Sequence, residues 1–290
     1  MKRGSLSFAE ALRVSRPLWW VTTCVPFIVG ALLATHELNL TIIIGAIYFL
    51  IPYNLLIYGI NDIFDYESDI RNSRKAGVHG AVLSKLKHRA LWRLIIISNL
   101  PFILYLAVVG NLESSAFLFM MLYMAFAYSV AGLRYKEIPF IDSLTSAFHY
   151  TSPFLFGLFL FESPDLWAPA FAGFYFWAVG THAFGAIQDI RPDREAGVRS
   201  IATYLGAPKT IVFTLTVYII GAIAPLLAYG VKGLAAAAAI APYFILVLST
   251  YKHRYDNGSP VFRNVWKRFV VLNYIVGGAA SIFLIYLYNR

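Results

Sequence analysis

The length of its apolar runs is what most constrains this chain. Nine stretches are long and apolar enough to cross a bilayer: 17–35, 41–61, 94–110, 114–132, 141–161, 166–188, 210–229, 233–251 and 269–288. A spanning helix needs roughly 20 mostly apolar residues. Lipid offers no partner to an unpaired backbone group, so each run is expected to be helical. Pro26, Pro52, Pro153, Pro225 and Pro242 fall within runs. Neighbouring helices in a bundle can satisfy the carbonyls that such prolines free. The Ala235–Ala239 run suits close helix packing.

The charges sort themselves around these runs. Of the 24 Lys and Arg, 22 fall at the N-terminus or after the second, fourth, sixth and eighth runs. The opposite side receives only Lys232 and Arg290. Cytoplasmic segments carry the basic excess. The expectation is therefore an all-α integral membrane protein, a nine-transmembrane-helix bundle in the cell membrane, with its N-terminus cytoplasmic and its C-terminus outside. Residues 1–290 read as one domain. Only 13% of residues are charged, against about a quarter in soluble domains. The net charge of +9 does not mark a nucleic-acid binder, because the basic residues are confined between apolar runs. The single cysteine, Cys24, excludes a disulfide framework and reads as a small buried hydrophobe. Met1 to Arg16 is basic and amphipathic, and the run after it lacks a small-residue cleavage pattern, so no cleavable signal peptide is expected.

Two acidic constellations carry the chemistry. The first, Asn61-Asp62-Ile-Phe-Asp65-Tyr66-Glu67-Ser-Asp69, ends the second run. On a helix Asp62, Asp65 and Asp69 share one face. The second, Gln188-Asp189-Ile-Arg191-Pro-Asp193-Arg194-Glu195, ends the sixth. Asp189 and Asp193 share a face if the helix persists to Pro192. Of 11 acids on the basic side, seven lie in these two clusters, which scattered solvated charges would not produce. Clustered carboxylates at a membrane boundary repel one another and are functional candidates. Mg²⁺ relieves that repulsion, and it completes its shell with water and substrate phosphate. Two such faces opposed across a bundle would hold a diphosphate through Mg²⁺. Glu67 and Glu195 lie off the acidic faces and read as solvated. Six of nine positions agree between Asp69-Ile-Arg-Asn-Ser-Arg-Lys-Ala-Gly77 and Asp189-Ile-Arg-Pro-Asp-Arg-Glu-Ala-Gly197. That suggests an internal duplication.

The pattern Asn-Asp-x-x-Asp-x-x-x-Asp after the second run, with Asp-x-x-x-Asp after the sixth, resembles the UbiA-type intramembrane prenyltransferases over nearly the whole chain. The resemblance implies that Asn61, Asp62, Asp65, Asp69, Asp189 and Asp193 ligate Mg²⁺–diphosphate above a lipid-open cavity. The family's Tyr-Ser then Arg/Lys pattern is matched by Tyr128-Ser129 and Arg134-Tyr-Lys136. One departure is informative. Quinone and haem branches continue the first motif with Arg-Thr…Arg-Pro, whereas this chain has Arg71-Asn-Ser-Arg74-Lys75-Ala-Gly-Val-His-Gly-Ala-Val. That version, with Arg16-Pro-Leu-Trp-Trp near the start, resembles the carotenoid branch, the lycopene elongases. It implies dimethylallyl transfer to lycopene ends towards fifty-carbon carotenoids. An aromatic or glycerolipid acceptor is the alternative.

On this reading Arg71, Lys75, Lys136, Arg134 and Tyr128 meet the diphosphate. Cations placed where leaving-group charge grows stabilise the transition state more than the ground state. The allylic cation attacked by lycopene leaves a tertiary cation that loses a proton or captures water. His149, Tyr150, His182 and Tyr58 are the candidate proton acceptors, each also readable as a helix-packing residue. Aromatic faces, from 19 Tyr and 23 Phe, would steady the cation. The segment 62–93 carries the first motif and a basic amphipathic helix over His79 to Arg93, either a lid or an interfacial helix on anionic lipid. The segment 189–209 carries the second motif. Expected partners are the prenyl diphosphate, a hydrophobic polyene acceptor and membrane lipid; a further membrane subunit is left open. A transporter is the non-enzyme rival, but its acids lie near mid-membrane, whereas these sit at helix ends beside Arg and Lys, facing the cytoplasm. No late run holds a retinal-binding Lys, and no Asp-Gly…Ala-Arg motif marks a CDP-alcohol phosphotransferase.

Overall fold

The computed structural model describes residues 4–70, 82–161, 168–255 and 260–288. Among the described residues, all regular structure is helical. The helices are α1 (Phe8–Val14), α2 (Val21–Thr35), α3 (Leu40–Leu50), α4 (Pro52–Phe64), α5 (Tyr66–Asp69), α6 (Lys85–Val109), α7 (Leu112–Ser129), α8 (Ile141–Leu160), α9 (Ala168–Ala186), α10 (Ile190–Glu195), α11 (Ile201–Tyr229), α12 (Leu234–Leu248) and α13 (Pro260–Tyr288). Seven helical stretches among the described residues are long and apolar enough to cross a membrane. The protein is a multi-pass membrane protein.

The chain divides into two compact units, and the division falls inside α8. In the first, residues 1–134 with 152–163, an aromatic core of Phe27, Tyr48, Phe49, Tyr53 and Phe156 is fully buried. Glycine lets two backbones touch there. A Cβ on Gly30 would lie 2.1 Å from the Phe154 carbonyl oxygen, and one on Gly157 would lie 2.7 Å from that of Phe27. No side chain fits between α2 and the end of α8.

The second expected run is broken at Pro52, which opens α4. Proline has no N–H, so carbonyls at the break lose their helical partners. Side chains replace them. Asn54 Nδ2 donates to the carbonyls of Phe49 (2.8 Å) and Leu50 (3.1 Å) and to Thr23 Oγ1 (2.7 Å). Thr23 Oγ1 donates to Phe49 O, and Asn99 Nδ2 to Pro52 O at 2.9 Å. This buried clamp sets the direction of α4, which ends in the first acidic motif.

The expected amphipathic helix over 79–93 takes a different form. Residues 85–93 are the first turns of α6 itself, and 79–81 lie outside the described residues. Lys and Arg are good helix formers, so the spanning helix continues through its basic flank. That flank is tied down: Lys87 pairs with Glu10 at 2.5 Å, and Lys85 pairs with Glu67. The Lys87 ammonium, helped by the Ser7 backbone N–H, pulls the Glu10 carboxyl down to about 2. Similarly α13 starts at Pro260, and its basic residues Arg263, Lys267 and Arg268 are helical.

The second unit, residues 135–151 with 164–290, packs α9, α11, α12 and α13 around Phe184, Tyr218, Tyr243, Phe262 and Phe269. Gly173 and Gly221 each oppose the other's carbonyl, with a built Cβ 2.8 and 3.0 Å away. Both units thus use paired glycines to bring spanning helices into backbone contact, as membrane bundles do.

Candidate active site

The first acidic motif closes α4. The helix ends at Phe64, Asp65 takes φ −95 and ψ 0 as its cap, and α5 resumes at once. The backbone ladder runs through the junction, with Asp65 N donating to Asn61 O and Asp69 N to Asp65 O. Asp62, Asp65 and Asp69 are therefore presented as a near-continuous row. Their relative exposures are only 4%, 8% and 6%. A buried carboxylate needs a counter-charge.

Two arginines supply it. Arg16 Nη2 donates to Asp62 Oδ1 at 2.8 Å, and Arg134 Nη2 to Asp65 Oδ1 at 3.5 Å. Arg16 also lies over the Tyr58 ring, its guanidinium carbon 4.3 Å from the centroid. Tyr58 is one turn before Asp62, so this arginine runs along α4 from an aromatic face to a carboxylate. Both arginines adopt left-handed backbone, φ 51 and φ 42, a conformation costly for a side chain of that size. Ser129 Oγ donates to Asn61 Oδ1 at 3.1 Å. Tyr128, beside it, is half-buried. The chain around the end of the fourth expected run is thus tied to the first motif at two points, Ser129 and Arg134.

The second motif is built differently. The condition for a shared face, an α-helix unbroken to Pro192, is not met. A 3-10 turn, Ile187–Asp189, intervenes, and α10 restarts at Ile190. Pro192 then falls in a first turn, where its missing N–H is not needed. Asp189 and Asp193 are half-buried. The short helix is closed by a Schellman pair: Val198 N donates to Asp193 O (2.8 Å) and Gly197 N to Arg194 O (3.2 Å), with Gly197 at φ 73. Arg191 pairs with Glu195 in solvent, and Arg194 donates to the Thr203 carbonyl. Glu195 and Glu67 both stand in exposed ion pairs.

Of the other expected site residues, Lys136 is half-buried in a 3-10 turn, Tyr135–Glu137, in the second unit. Arg71 and Lys75 lie outside the described residues. His149 is buried on α8 and Tyr150 half-buried. His182 Nδ1 lies 3.0 Å from Ser143 Oγ. Its neighbour Asp142 is buried and accepts from the backbone N–H groups of Ser143 and Ile201, each at 2.8 Å.

Among the described residues, no three His, Cys, Asp or Glu side chains converge on one point. Magnesium takes one or two carboxylates and leaves the rest of its shell to water and phosphate. The donors offered are hard oxygens throughout, with no sulfur or imidazole among them. Arg16 and Ser129 were not expected as site residues. Arg16 was legible only as part of Arg16-Pro-Leu-Trp-Trp, and Ser129 only as half of a Tyr-Ser pair.

Residues 23–270 match the model of the UbiA prenyltransferase family. The chain is 44% identical over 266 residues to the C(50) beta-cyclic carotenoids biosynthesis protein LbtBC of a Dietzia species. That match covers 91% of this chain but spans only 61% of the relative's length. It is 39% identical to a lycopene elongase/hydratase of Corynebacterium glutamicum, covering 93% of this chain and 94% of that one. Its fold is similar to the solved structure of a UbiA homolog from Archaeoglobus fulgidus bound to DMAPP and Mg²⁺, with a TM-score of 0.72 at 19% identity, covering 92% of this chain and 98% of that one. On this sequence, fold and motif placement, the chain is a prenyltransferase enzyme and belongs to the UbiA prenyltransferase family.

Proposed function

We propose that the protein is a lycopene elongase, a magnesium-dependent enzyme that transfers dimethylallyl units from dimethylallyl diphosphate to the ends of lycopene. The observation that carries the chemistry is the row of buried carboxylates, Asp62, Asp65 and Asp69, met by arginines from outside the motif. The near full-length similarity to a lycopene elongase/hydratase supports the acceptor.

Asn61, Asp62, Asp65 and Asp69 of the first motif, and Asp189 and Asp193 of the second, are the proposed oxygen ligands. Bound Mg²⁺ would supply positive charge to the departing diphosphate. Arg16 and Arg134 hold Asp62 and Asp65 in place. Arg134, with Lys136, Arg71, Lys75 and the Tyr128 hydroxyl, meets the diphosphate oxygens. The allylic C–O bond breaks and its electron pair leaves with the diphosphate. The terminal double bond of lycopene then forms the new C–C bond, and the resulting tertiary cation loses a proton or captures water. Of the proton-acceptor candidates, His182 has its ring oriented by Ser143, as a general base requires. Tyr58 is engaged by Arg16 across its face; His149 and Tyr150 complete the set.

We read the fold as nine crossings, with the N-terminus and both motifs on the cytoplasmic side of the cell membrane. The apolar stretch Ile201–His253 has 53 residues, about 80 Å as helix. That is too long for one crossing, and it turns at Gly230–Gly233 between α11 and α12. Adding α8 as a further crossing completes the nine.

Expression in a lycopene-accumulating bacterial host, with mass analysis of the pigments, tests the proposal. Products heavier by one or two five-carbon units, with or without water, are expected, and none from Asp65→Asn or Asp189→Asn. Chelating divalent cations in membranes should stop diphosphate release, and Mg²⁺ should restore it. Unchanged lycopene at good expression would rule out this acceptor. Aromatic and glycerolipid acceptors would then be screened by magnesium-dependent diphosphate release.

A further inference from the structure

A small cavity lies within the second unit, lined by none of the residues of the acidic motifs. Of about 230 Å³, it is lined by Pro208, Lys209, Val212, Tyr251, Arg254 and Tyr255. It is smaller than the roughly 300–1,000 Å³ of pockets that enclose whole ligands. It suits a headgroup, not a polyene.

Its charge is positive and pre-arranged. The Arg254 guanidinium carbon lies 4.5 Å from the ring centroids of both Tyr251 and Tyr255. Arg254 Nη1 donates to the Tyr251 carbonyl at 3.1 Å. Stacked in this way, the guanidinium loses little rotamer entropy when it binds an anion. Among the described residues, no carboxylate pairs with Arg254 or Lys209. Asp256 follows closely in sequence but lies outside the described residues.

The backbone adds to this field. Gly206, at φ 74 and ψ 163, interrupts α11, and the long part of that helix begins beyond it with Pro208 in its first turn. Thr210 Oγ1 closes the turn onto Gly206 O at 2.8 Å. The positive end of a long helix dipole therefore lies beside Lys209. The rim is apolar and outward: Val212 is 51% and Tyr255 75% exposed. Tyrosines with neighbouring Lys252 and His253 are the residues found where a bilayer meets water.

We propose that this pocket binds the phosphate of an anionic membrane lipid, with Arg254 and Lys209 on the phosphate oxygens and the Val212–Tyr255 rim against the lipid chains. Such basic pockets at the cytoplasmic ends of spanning helices suit anionic headgroups. Two cations and a helix dipole match a phosphodiester without a metal ion. The acidic motifs depend on one.

The test uses the full chain purified in detergent, with thermal unfolding followed by tryptophan fluorescence. The additions are phosphatidylglycerol, phosphatidylcholine, or inorganic phosphate at matched ionic strength. Phosphatidylglycerol should raise the wild-type midpoint by roughly 3–6 °C at saturation. Phosphatidylcholine and free phosphate should not. Arg254→Gln and Lys209→Gln should each lose at least half of the shift, while Lys232→Gln keeps it. Native mass spectrometry should show phosphatidylglycerol retained by wild type and lost from Lys209→Gln, a readout that stands even if Arg254→Gln folds poorly. Equal shifts with phosphatidylcholine, or undiminished shifts in both pocket variants, would overturn the site. The full shift with inorganic phosphate alone would overturn its lipid character. Neither variant touches the acidic motifs, so prenyl transfer in cells reports separately on the catalytic reading.

Discussion

The first acidic motif spans the end of α4 and all of α5 and keeps its three aspartates buried, whereas the second spans a 3-10 turn and a six-residue helix and leaves Asp189 and Asp193 half-buried. The first is neutralised from a distance: Arg16 reaches Asp62 across 46 residues of sequence, and Arg134 reaches Asp65 across 69. In the second, Arg191 and Arg194 turn to Glu195 and the Thr203 carbonyl. Buried charge pairs join the first motif to distant arginines, and backbone capping closes the short helix of the second. Burial raises the cost of unbalanced charge, so the first motif should govern stability as well as chemistry.

The largest expected effect treats the motifs alike. Asp65→Asn and Asp189→Asn should each lower prenyl transfer by about a thousandfold, read as product per folded enzyme. A residual activity in Asp189→Asn well above that of Asp65→Asn would show that the first motif suffices.

Stability should separate them. Arg16→Ala removes the ion pair to the buried Asp62 carboxylate and should cost about 3 kcal/mol, while Arg191→Ala, which loses an exposed pair, should cost under about 0.5 kcal/mol. Thermal unfolding in detergent measures both, and equal costs would erase the distinction. Next in size is Gly197→Ala. A Cβ at φ 73 costs about 1–2 kcal/mol, localised on α10. The KM for dimethylallyl diphosphate should therefore rise more than the melting point falls. An unchanged KM would break the idea that the Schellman turn positions Asp193.

The smallest effect concerns the flank of the first unit. The Lys87 ammonium holds the folded Glu10 carboxyl down at about 2, below its ordinary 4.5. Its stabilisation of the α1–α6 contact is thus present above pH 4.5 and is lost as the pH falls from there towards 2. Lys87→Ala should remove that acid-dependent loss. A pH profile of unfolding identical to wild type would exclude the pair.

Features encoded locally could be read from the residues alone. Hydropathy placed the helices, and carboxylate spacing picked out both motifs. The resemblance carried by those motifs identified the family, and the Arg71–Val82 stretch with Arg16-Pro-Leu-Trp-Trp pointed to its carotenoid branch. The tertiary structure decided the partners. No period in the chain tells which of its 24 Lys and Arg reaches Asp62, which tyrosines enclose Arg254, or that Ser129 binds Asn61. Those choices depend on the angle at which helices leave their kinks. At Pro52 the angle is held by Asn54, Thr23 and Asn99, side chains from three different helices. Ahead of Pro192, a 3-10 turn at Ile187–Asp189 separates α9 from α10. A helix's existence follows from backbone groups that must be satisfied within the segment. Its direction follows from contacts made only once the other segments are in place.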